Sequence, residues 1–118
     1  GRRDGTVFYL AKQDWPKLRE PLQRHHRRMA ASLDNATPPM TFRLGRGAAL
    51  VEDPANGHSF GQTITSAVAS GILESLALHE EDPEAQLAII ARRMRSLGIS
   101  PAHPYAETQP SEIEWSAW

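Results

Sequence analysis

The stretch from residue 45 to residue 71 constrains the fold of this chain more than any other. It opens with a small apolar run at residues 48–51, which predicts a short buried strand. The residues that follow are rich in Pro, Asn and Gly and predict a tight turn. Ser59 precedes Gln62 by three residues, which is the spacing of a capping box and predicts a helix that begins directly after Ser59. A helix start reached through such a turn is a place where an anion can bind.

Apolar residues at helical spacing predict three helices. The first covers residues 15–33 and ends at an Asn-Ala-Thr-Pro-Pro sequence that cannot continue a helix. The second runs from the capping box to about residue 79, and its small residues Ala67 and Gly71 predict close approach of a neighbouring element. The third covers residues 83–97, between an Asp-Pro start signal and a glycine stop signal.

Two further segments have the composition of strands. Residues 6–10 are β-branched, aromatic and apolar on both faces, which predicts a strand inside a sheet. Residues 40–44 alternate apolar and polar side chains, which predicts a strand with Thr41 and Arg43 on its open face. Together with residues 48–51, these segments predict an α+β protein in which a small mixed or antiparallel sheet packs against about three helices.

Length and composition exclude several classes of protein. The 118 residues predict one domain or one half of a larger one, and a net charge of −1 gives no case for nucleic acid or an acidic membrane surface. The chain has no cysteine, which excludes a disulfide framework, a thiolate nucleophile and a cysteine zinc site. No apolar run has the length of a membrane span, so we expect a soluble cytoplasmic protein that does not bind a membrane.

The densest positive cluster lies at residues 24–28, in the sequence Arg-His-His-Arg-Arg. His25 and His26 are adjacent and lie about 100° apart around a helix, so they cannot chelate one metal as an i, i+4 pair would. The cluster is typical of a solvated basic face. The alternative is a docking face for an acidic partner or a phosphopeptide.

The last eleven residues form an unusual tail. We divide the chain into a domain at residues 1–107 and an acidic, tryptophan-containing tail at residues 108–118. Trp115 and Trp118 alternate with polar residues in this tail. They predict either an edge strand that covers the core or a strand that docks on a partner chain, with the two tryptophans as partner-binding residues.

Several polar side chains are candidates for chemistry. His58 is a candidate general acid or base, while its neighbour Ser59 is explained as a helix cap. His103 and Tyr105 form a second candidate pair in a Pro-rich turn. Arg43 and Arg46 flank the central stretch and could hold a phosphate, because a guanidinium fork matches phosphate oxygens. Either arginine could equally be an ordinary surface residue.

The sequence resembles the C-terminal half of the HopA-type family of type III effectors. The resemblance extends from TVFYL at residue 6 to the turn at Tyr105, through PPMTFRL, GAALVEDP, GHSFG and LGISPAHPY. Its most specific block is residues 51–61. Two features depart from the pattern: Thr63 and Ile64 stand where many relatives have a His-Arg pair, and Phe42 stands at a position that is often basic.

The resemblance implies an activity. Related domains occur in plant-pathogen effectors and in gene clusters for class V lanthipeptides and thioamide-containing peptides. There they act as phosphoserine or phosphothreonine lyases, after a kinase that resembles aminoglycoside phosphotransferases, and they need neither metal nor organic cofactor. The expected partners are therefore a precursor peptide, that kinase, and a separate chain that supplies the N-terminal half.

The residue types and the resemblance together give two sets of site residues. The catalytic candidates are His58, His103 and Tyr105, and the phosphate- or peptide-binding candidates are Arg43, Arg46, Ser59 and Gly61. Two other functions stay open, namely a non-catalytic subunit that holds the peptide or the kinase, and an effector-like module that binds a host protein.

Overall fold

The computed structural model describes residues 5–106 and 113–118 and confirms the α+β fold class. Its sheet has two antiparallel strands. Short 3₁₀ turns at Lys12–Asp14 and Ala30–Ser32 flank the first helix. In chain order the elements are α1 (Trp15–Met29), β1 (Phe42–Gly45), β2 (Ala48–Leu50), α2 (Phe60–Ala77) and α3 (Pro83–Ser96).

The helices α2 and α3 pack against each other and enclose the main apolar cluster. Ile64 and Ala67 of α2 are buried there with Met94 of α3. The predicted close approach at Gly71 is confirmed, because a Cβ atom at this position would lie 2.7 Å from the Ile90 Cα. Because Gly71 has no side chain, the α3 backbone can lie in the space that a side chain would fill.

Both of these helices begin where local signals predicted. At α2 the Gln62 N–H donates to the Ser59 Oγ over 3.1 Å, and the Ser59 N–H donates to the Gln62 Oε1 over 3.0 Å. This reciprocal pair is the predicted capping box. At α3 the Ala85 N–H donates to the Asp82 carboxylate over 3.3 Å, which satisfies one of the unpaired amides at the helix start.

The end of α3 is also as predicted. Gly98 has a φ of 80°, in the left-handed region that glycine adopts without steric cost. The Ile99 N–H then donates to the Met94 carbonyl over 2.9 Å, as in a Schellman motif, and the Ile99 side chain joins the α2–α3 core.

The strands β1 and β2 form a hairpin in which Phe42 pairs with Leu50 and Arg43 with Ala49. Leu44 is buried while Arg43 is exposed, so the predicted alternation is confirmed within β1. The strand begins at Phe42 and not at residue 40 as predicted, because Met40 has a φ of 63° and lies in a turn. This hairpin lies between α1 and α2 in the chain, and the C-terminal residues return to it, since the Trp118 N–H donates to the Leu44 carbonyl over 2.7 Å.

Two predictions about secondary structure were wrong. Residues 6–10 form no strand, and their apolar side chains are exposed. A segment of high β-propensity becomes a strand only when a neighbouring strand pairs with it, and the sheet pairs only β1 with β2. The helix α1 also ends at Met29 rather than at residue 33, because Ala30–Ser32 tightens into a 3₁₀ turn.

Candidate functional site

Four aromatic side chains meet where the C-terminal segment crosses the hairpin, and we call them the aromatic corner. The centroid of the Tyr105 ring lies 4.7 Å from the centroid of the Trp115 ring and 5.2 Å from that of the Phe42 ring. The ring centroids of Trp115 and Phe42 are 5.5 Å apart. The His103 ring packs edge-on against the Tyr105 ring, with 5.9 Å between the centroids. These separations are typical of favourable aromatic pairs. The structure thus brings together two predicted catalytic residues and one predicted partner-binding residue.

A buried carboxylate lies directly beside the aromatic corner. The Glu52 N–H donates to the Tyr105 carbonyl over 2.8 Å, which fixes the end of β2 to the turn that carries Tyr105. The Glu52 side chain is fully buried, and its Oε2 lies 2.8 Å from the Nζ of Lys12, whose side chain is 45% exposed. Burying a carboxylate is costly unless it is paired, and the Lys12 ammonium is one such partner of Glu52.

Neither Lys12 nor Glu52 was predicted from the sequence. One sequence signal could have indicated a buried carboxylate: Glu52 directly follows the apolar run at residues 48–51. The two residues are 40 positions apart, so no local pattern links them. Glu52 is one of only two buried polar or charged residues among those that the structure describes.

The tail packs on its own domain. The Arg19 guanidinium donates to the Ser116 carbonyl over 2.8 Å and to the Ala117 carbonyl over 3.1 Å. The Trp118 ring lies 5.0 Å from the ring of His26. Residues 113–118 have no strand assignment, and the first part of the predicted tail lies outside the described residues. Partner binding by Trp115 and Trp118 stays a prediction.

The start of α2 is a separate place. The His58 N–H donates to the Asn56 side chain over 2.9 Å, while the His58 side chain is exposed and makes no contact with the aromatic corner among the described residues. Ser59 is used as the helix cap. A Cβ atom at Gly61 would meet nothing closer than the Ser59 Oγ at 4.0 Å, so the helix start is open to solvent on this side.

The two predicted phosphate-binding arginines are engaged elsewhere. The Arg43 Nη1 donates to the Asn35 carbonyl, and the Arg43 Nη2 donates to the Oδ1 of the Asn35 side chain. The Arg46 Nε donates to the Leu33 carbonyl over 2.6 Å, and the Arg46 carbonyl bonds to His26 Nε2 over 2.8 Å. Both arginines therefore hold the segment after α1 against the hairpin. None of these contacts reaches the start of α2.

Thr63 and Ile64, the two departures from the family pattern, have structural roles here. The Thr63 Oγ1 donates to the Ser59 carbonyl over 3.0 Å and accepts from the Asn56 amide over 3.1 Å. Ile64 belongs to the α2–α3 core. A cationic side chain at the Ile64 position would have to leave that core to reach a phosphate.

Four aliphatic side chains of α2 and α3 are exposed. Ile72, Leu73 and Leu76 of α2 are 45%, 65% and 64% exposed, and Leu87 of α3 is 66% exposed. Helical geometry places the three α2 side chains away from Gly71, which faces α3. We call these four residues the apolar face. Exposed aliphatic side chains at neighbouring positions of a helix are candidates for protein interaction.

Some kinds of site are absent from the part of the chain that the structure describes. Residues 5–106 and 113–118 contain no group of three or more His, Cys, Asp or Glu side chains that could hold a metal ion. Within the same residues, no helix has the length and apolarity needed to cross a membrane.

The fold and these surfaces define a small α+β protein with separate polar, aromatic and apolar sites. The model of the HopA1 effector protein family matches residues 1–106. The chain therefore belongs to the HopA1 effector protein family, as the sequence motifs predicted. No curated protein sequence and no solved structure matches the chain. That the match corresponds to the C-terminal half of a longer domain stays a prediction.

Proposed function

We propose that this chain is one subunit of a lyase complex that eliminates phosphate from phosphoserine or phosphothreonine in a precursor peptide. In this proposal the chain does not form the complete active site alone. The observation that carries the subunit role is the apolar face on α2 and α3, with its four exposed aliphatic side chains. The lyase chemistry is supported by the sequence resemblance and by the open start of α2.

The partner must present an apolar surface without charges. The one charged residue of α2 is Glu74, which pairs with Arg92 over 2.7 Å. Covering the apolar face therefore removes no unpaired charge of α2 from water, and the large desolvation cost of an ion does not arise. The kinase implied by the resemblance is the partner that we propose.

The reaction is a β-elimination in which all atoms are accounted for. A base removes the Cα proton of the phosphorylated residue, and the electron pair of that bond forms the Cα–Cβ double bond. The Cβ–O bond then breaks and phosphate leaves with its electron pair, assisted by an acid. His58 is exposed at the open start of α2 and is the candidate in this chain for one of these proton transfers.

The phosphate requires cations that the start of α2 does not have in this chain alone. Arg43 and Arg46 bond to Asn35 and Leu33 instead. Developing negative charge on a leaving phosphate is stabilised by preorganised donors and cations, which here must come from the partner or from a rearranged loop. This is why we propose a subunit and not a self-sufficient enzyme.

The proposal is tested with a phosphothreonine peptide and mass spectrometry. The chain alone, the kinase-like partner alone and the mixture are each incubated with the peptide, and loss of phosphoric acid is measured. We expect product from the mixture only. Product formed by the chain alone would contradict the subunit role, and absence of product from every mixture would contradict the lyase chemistry.

A matched pair of variants tests the apolar face. Leu73→Asp places a charge in the middle of the face, and Met40→Asp places the same charge at another exposed apolar residue, in a loop. Met40 has a φ of 63°, which aspartate tolerates, so the control introduces little strain. We expect Leu73→Asp to abolish partner binding in a pull-down and Met40→Asp to preserve it. Equal binding by both variants would show that the partner docks elsewhere.

A non-catalytic subunit is the second candidate function. It is favoured by Ile64, whose place in the core removes a cationic position of the family pattern. If His58→Ala and Arg43→Gln leave the rate of elimination by the mixture unchanged, the chain holds the peptide or the partner without taking part in the chemistry. An effector-like module would bind a host protein through the same apolar face and would give no product in any mixture.

A further inference from the structure

We propose that a basic notch on α1 binds the phosphate group of a phosphorylated peptide. The notch is a shallow depression of about 160 Å³ on the exposed side of α1, open to solvent and lined by Pro21, Arg24, His25 and Arg28. The proposal rests on the proposed function for its source of phosphopeptide. It assigns recognition to a surface apart from the candidate elimination residues.

The sequence of α1 concentrates positive charge around this notch. The helix contains five Lys or Arg residues and one Glu, which gives it a net charge of +4, whereas the whole chain has a net charge of −1. The rest of the chain is therefore acidic overall. An anionic ligand that approaches the protein is attracted to α1 in particular.

Helical geometry places the two arginines of the notch side by side. Arg24 and Arg28 are four residues apart, so they lie one above the other on the same side of α1. Like charges at this spacing repel each other, which weakly destabilises the helix unless an anion lies between them. Two guanidinium groups in this arrangement match the oxygens of one phosphate monoester, because each guanidinium can donate two parallel hydrogen bonds.

The guanidinium groups of the notch are available. Within the part of the chain that the structure describes, Arg24 and Arg28 make no ion pair and no side-chain hydrogen bond. Glu20 lies one turn before Arg24 but forms no ion pair with it in the same set of residues. Arg43 and Arg46, by contrast, each donate hydrogen bonds to the segment after α1.

The position of the notch separates it from the packed side of α1. The packed side carries buried Trp15, together with Arg19 and His26, which contact the tail and the hairpin. A helix favours positive charge near its C-terminal end, which explains why arginines occur in the last turn of α1. That effect does not depend on the side of the helix and so does not explain why Arg24 and Arg28 border the same depression.

Arg27 supplies a matched control for a binding experiment. It is exposed and lies in the same turn as Arg28, but it is not part of the notch lining. Arg24→Gln, Arg28→Gln and Arg27→Gln each remove one positive charge from α1. A difference between them therefore reports the notch and not the overall charge of the helix.

The experiment measures fluorescence anisotropy of a labelled phosphothreonine peptide with the full chain. We expect Arg24→Gln and Arg28→Gln each to weaken binding about tenfold, which corresponds to the loss of one charge-assisted contact, and Arg27→Gln to weaken it less than about twofold. The unphosphorylated peptide should bind the native chain and the variants equally weakly, because it has no phosphate group for Arg24 and Arg28 to contact. Equal effects of all three substitutions would overturn the proposal.

Two further ligands, inorganic phosphate and a single-stranded oligonucleotide, show which phosphate-containing molecule the notch binds. Comparing binding with elimination then separates this inference from the lyase function. Inorganic phosphate that binds as tightly as the phosphopeptide would make the notch a free-phosphate site. A single-stranded oligonucleotide that binds more tightly, with the same loss in Arg24→Gln, would assign the notch to nucleic acid. Either result overturns the phosphopeptide proposal. Phosphopeptide binding that Arg24→Gln weakens, without elimination in any mixture, would leave the notch established and the lyase function refuted.

Discussion

Replacement of Gly71 by alanine tests the packing of α2 on α3. A Cβ atom there would lie 2.7 Å from the Ile90 Cα, 3.0 Å from its Cγ1 and 3.1 Å from its Cβ. The closest of these atoms belongs to the backbone, so a change of side-chain rotamer at Ile90 cannot relieve the contact. The two helices must instead move apart, which opens the core around Ala67 and Met94.

The expected magnitude follows from two opposing terms. Overpacking of a close contact costs about 1–3 kcal/mol, and alanine gains about 1 kcal/mol over glycine in a helix interior. The two terms leave about 0–2 kcal/mol. Because the 2.7 Å contact is with a backbone atom, we expect Gly71→Ala to lower the free energy of unfolding by an amount near the upper end, about 2 kcal/mol. With a urea m-value of about 1.5 kcal/mol/M, this lowers the midpoint of urea unfolding by about 1 M.

Gly61→Ala is the control, since it is the same substitution in the same helix. A Cβ atom at Gly61 would lie in open space. We expect its free energy of unfolding to stay within about 0.5 kcal/mol of the native value or to rise, because alanine reduces the entropy of the unfolded chain. Urea unfolding followed by circular dichroism measures both variants. If Gly71→Ala proved as stable as Gly61→Ala, the inferred approach of α3 to α2 would be wrong.

Two further predictions concern the hairpin side of the molecule. Lys12→Met leaves the buried Glu52 carboxylate without its ammonium partner and should lower the free energy of unfolding by about 1–2 kcal/mol, less than for a fully buried pair because Lys12 is half exposed. A double-mutant cycle with Glu52→Gln checks the coupling, and strictly additive effects would contradict it. Trp118→Ala removes the ring that packs on His26 and should destabilise the free chain by about 1–2 kcal/mol in urea unfolding. An unchanged free chain with weaker partner binding would favour a docking role for the tail instead.

The sequence was most informative where one short segment determines the structure. The capping box of Ser59 and Gln62 is complete within four residues, and both of its hydrogen bonds are present. Gly98 needs only its own backbone conformation to end α3. Gly71 could be predicted as a place of close approach because a small residue on the apolar side of a helix has few other uses. The contact itself with Ile90 required the structure.

The candidate site was harder to predict because its contacts are distant in sequence. Tyr105 meets Phe42 and Trp115 only after the chain has passed through α2 and α3. The charge pattern correctly identified Arg43 and Arg46 as exposed cations, but it could not show that they donate hydrogen bonds to the carbonyls of residues 35 and 33. Hydrogen bonds to backbone carbonyls are available to any arginine and therefore leave no sequence signal.

The C-terminal segment explains why residues 6–10 have no place in this sheet. A two-stranded hairpin is only marginally stable alone, so its main-chain groups need further partners. Here the Tyr105 carbonyl accepts from Glu52 at the end of β2, and the Trp118 N–H donates to Leu44 of β1. Tyr105 and Trp118 thus provide main-chain hydrogen bonds to the hairpin strands and to the residue that follows them. A partner protein that binds Trp118 must consequently first break this contact, whereas the apolar face on α2 and α3 can be covered without any loss of hydrogen bonds within the hairpin.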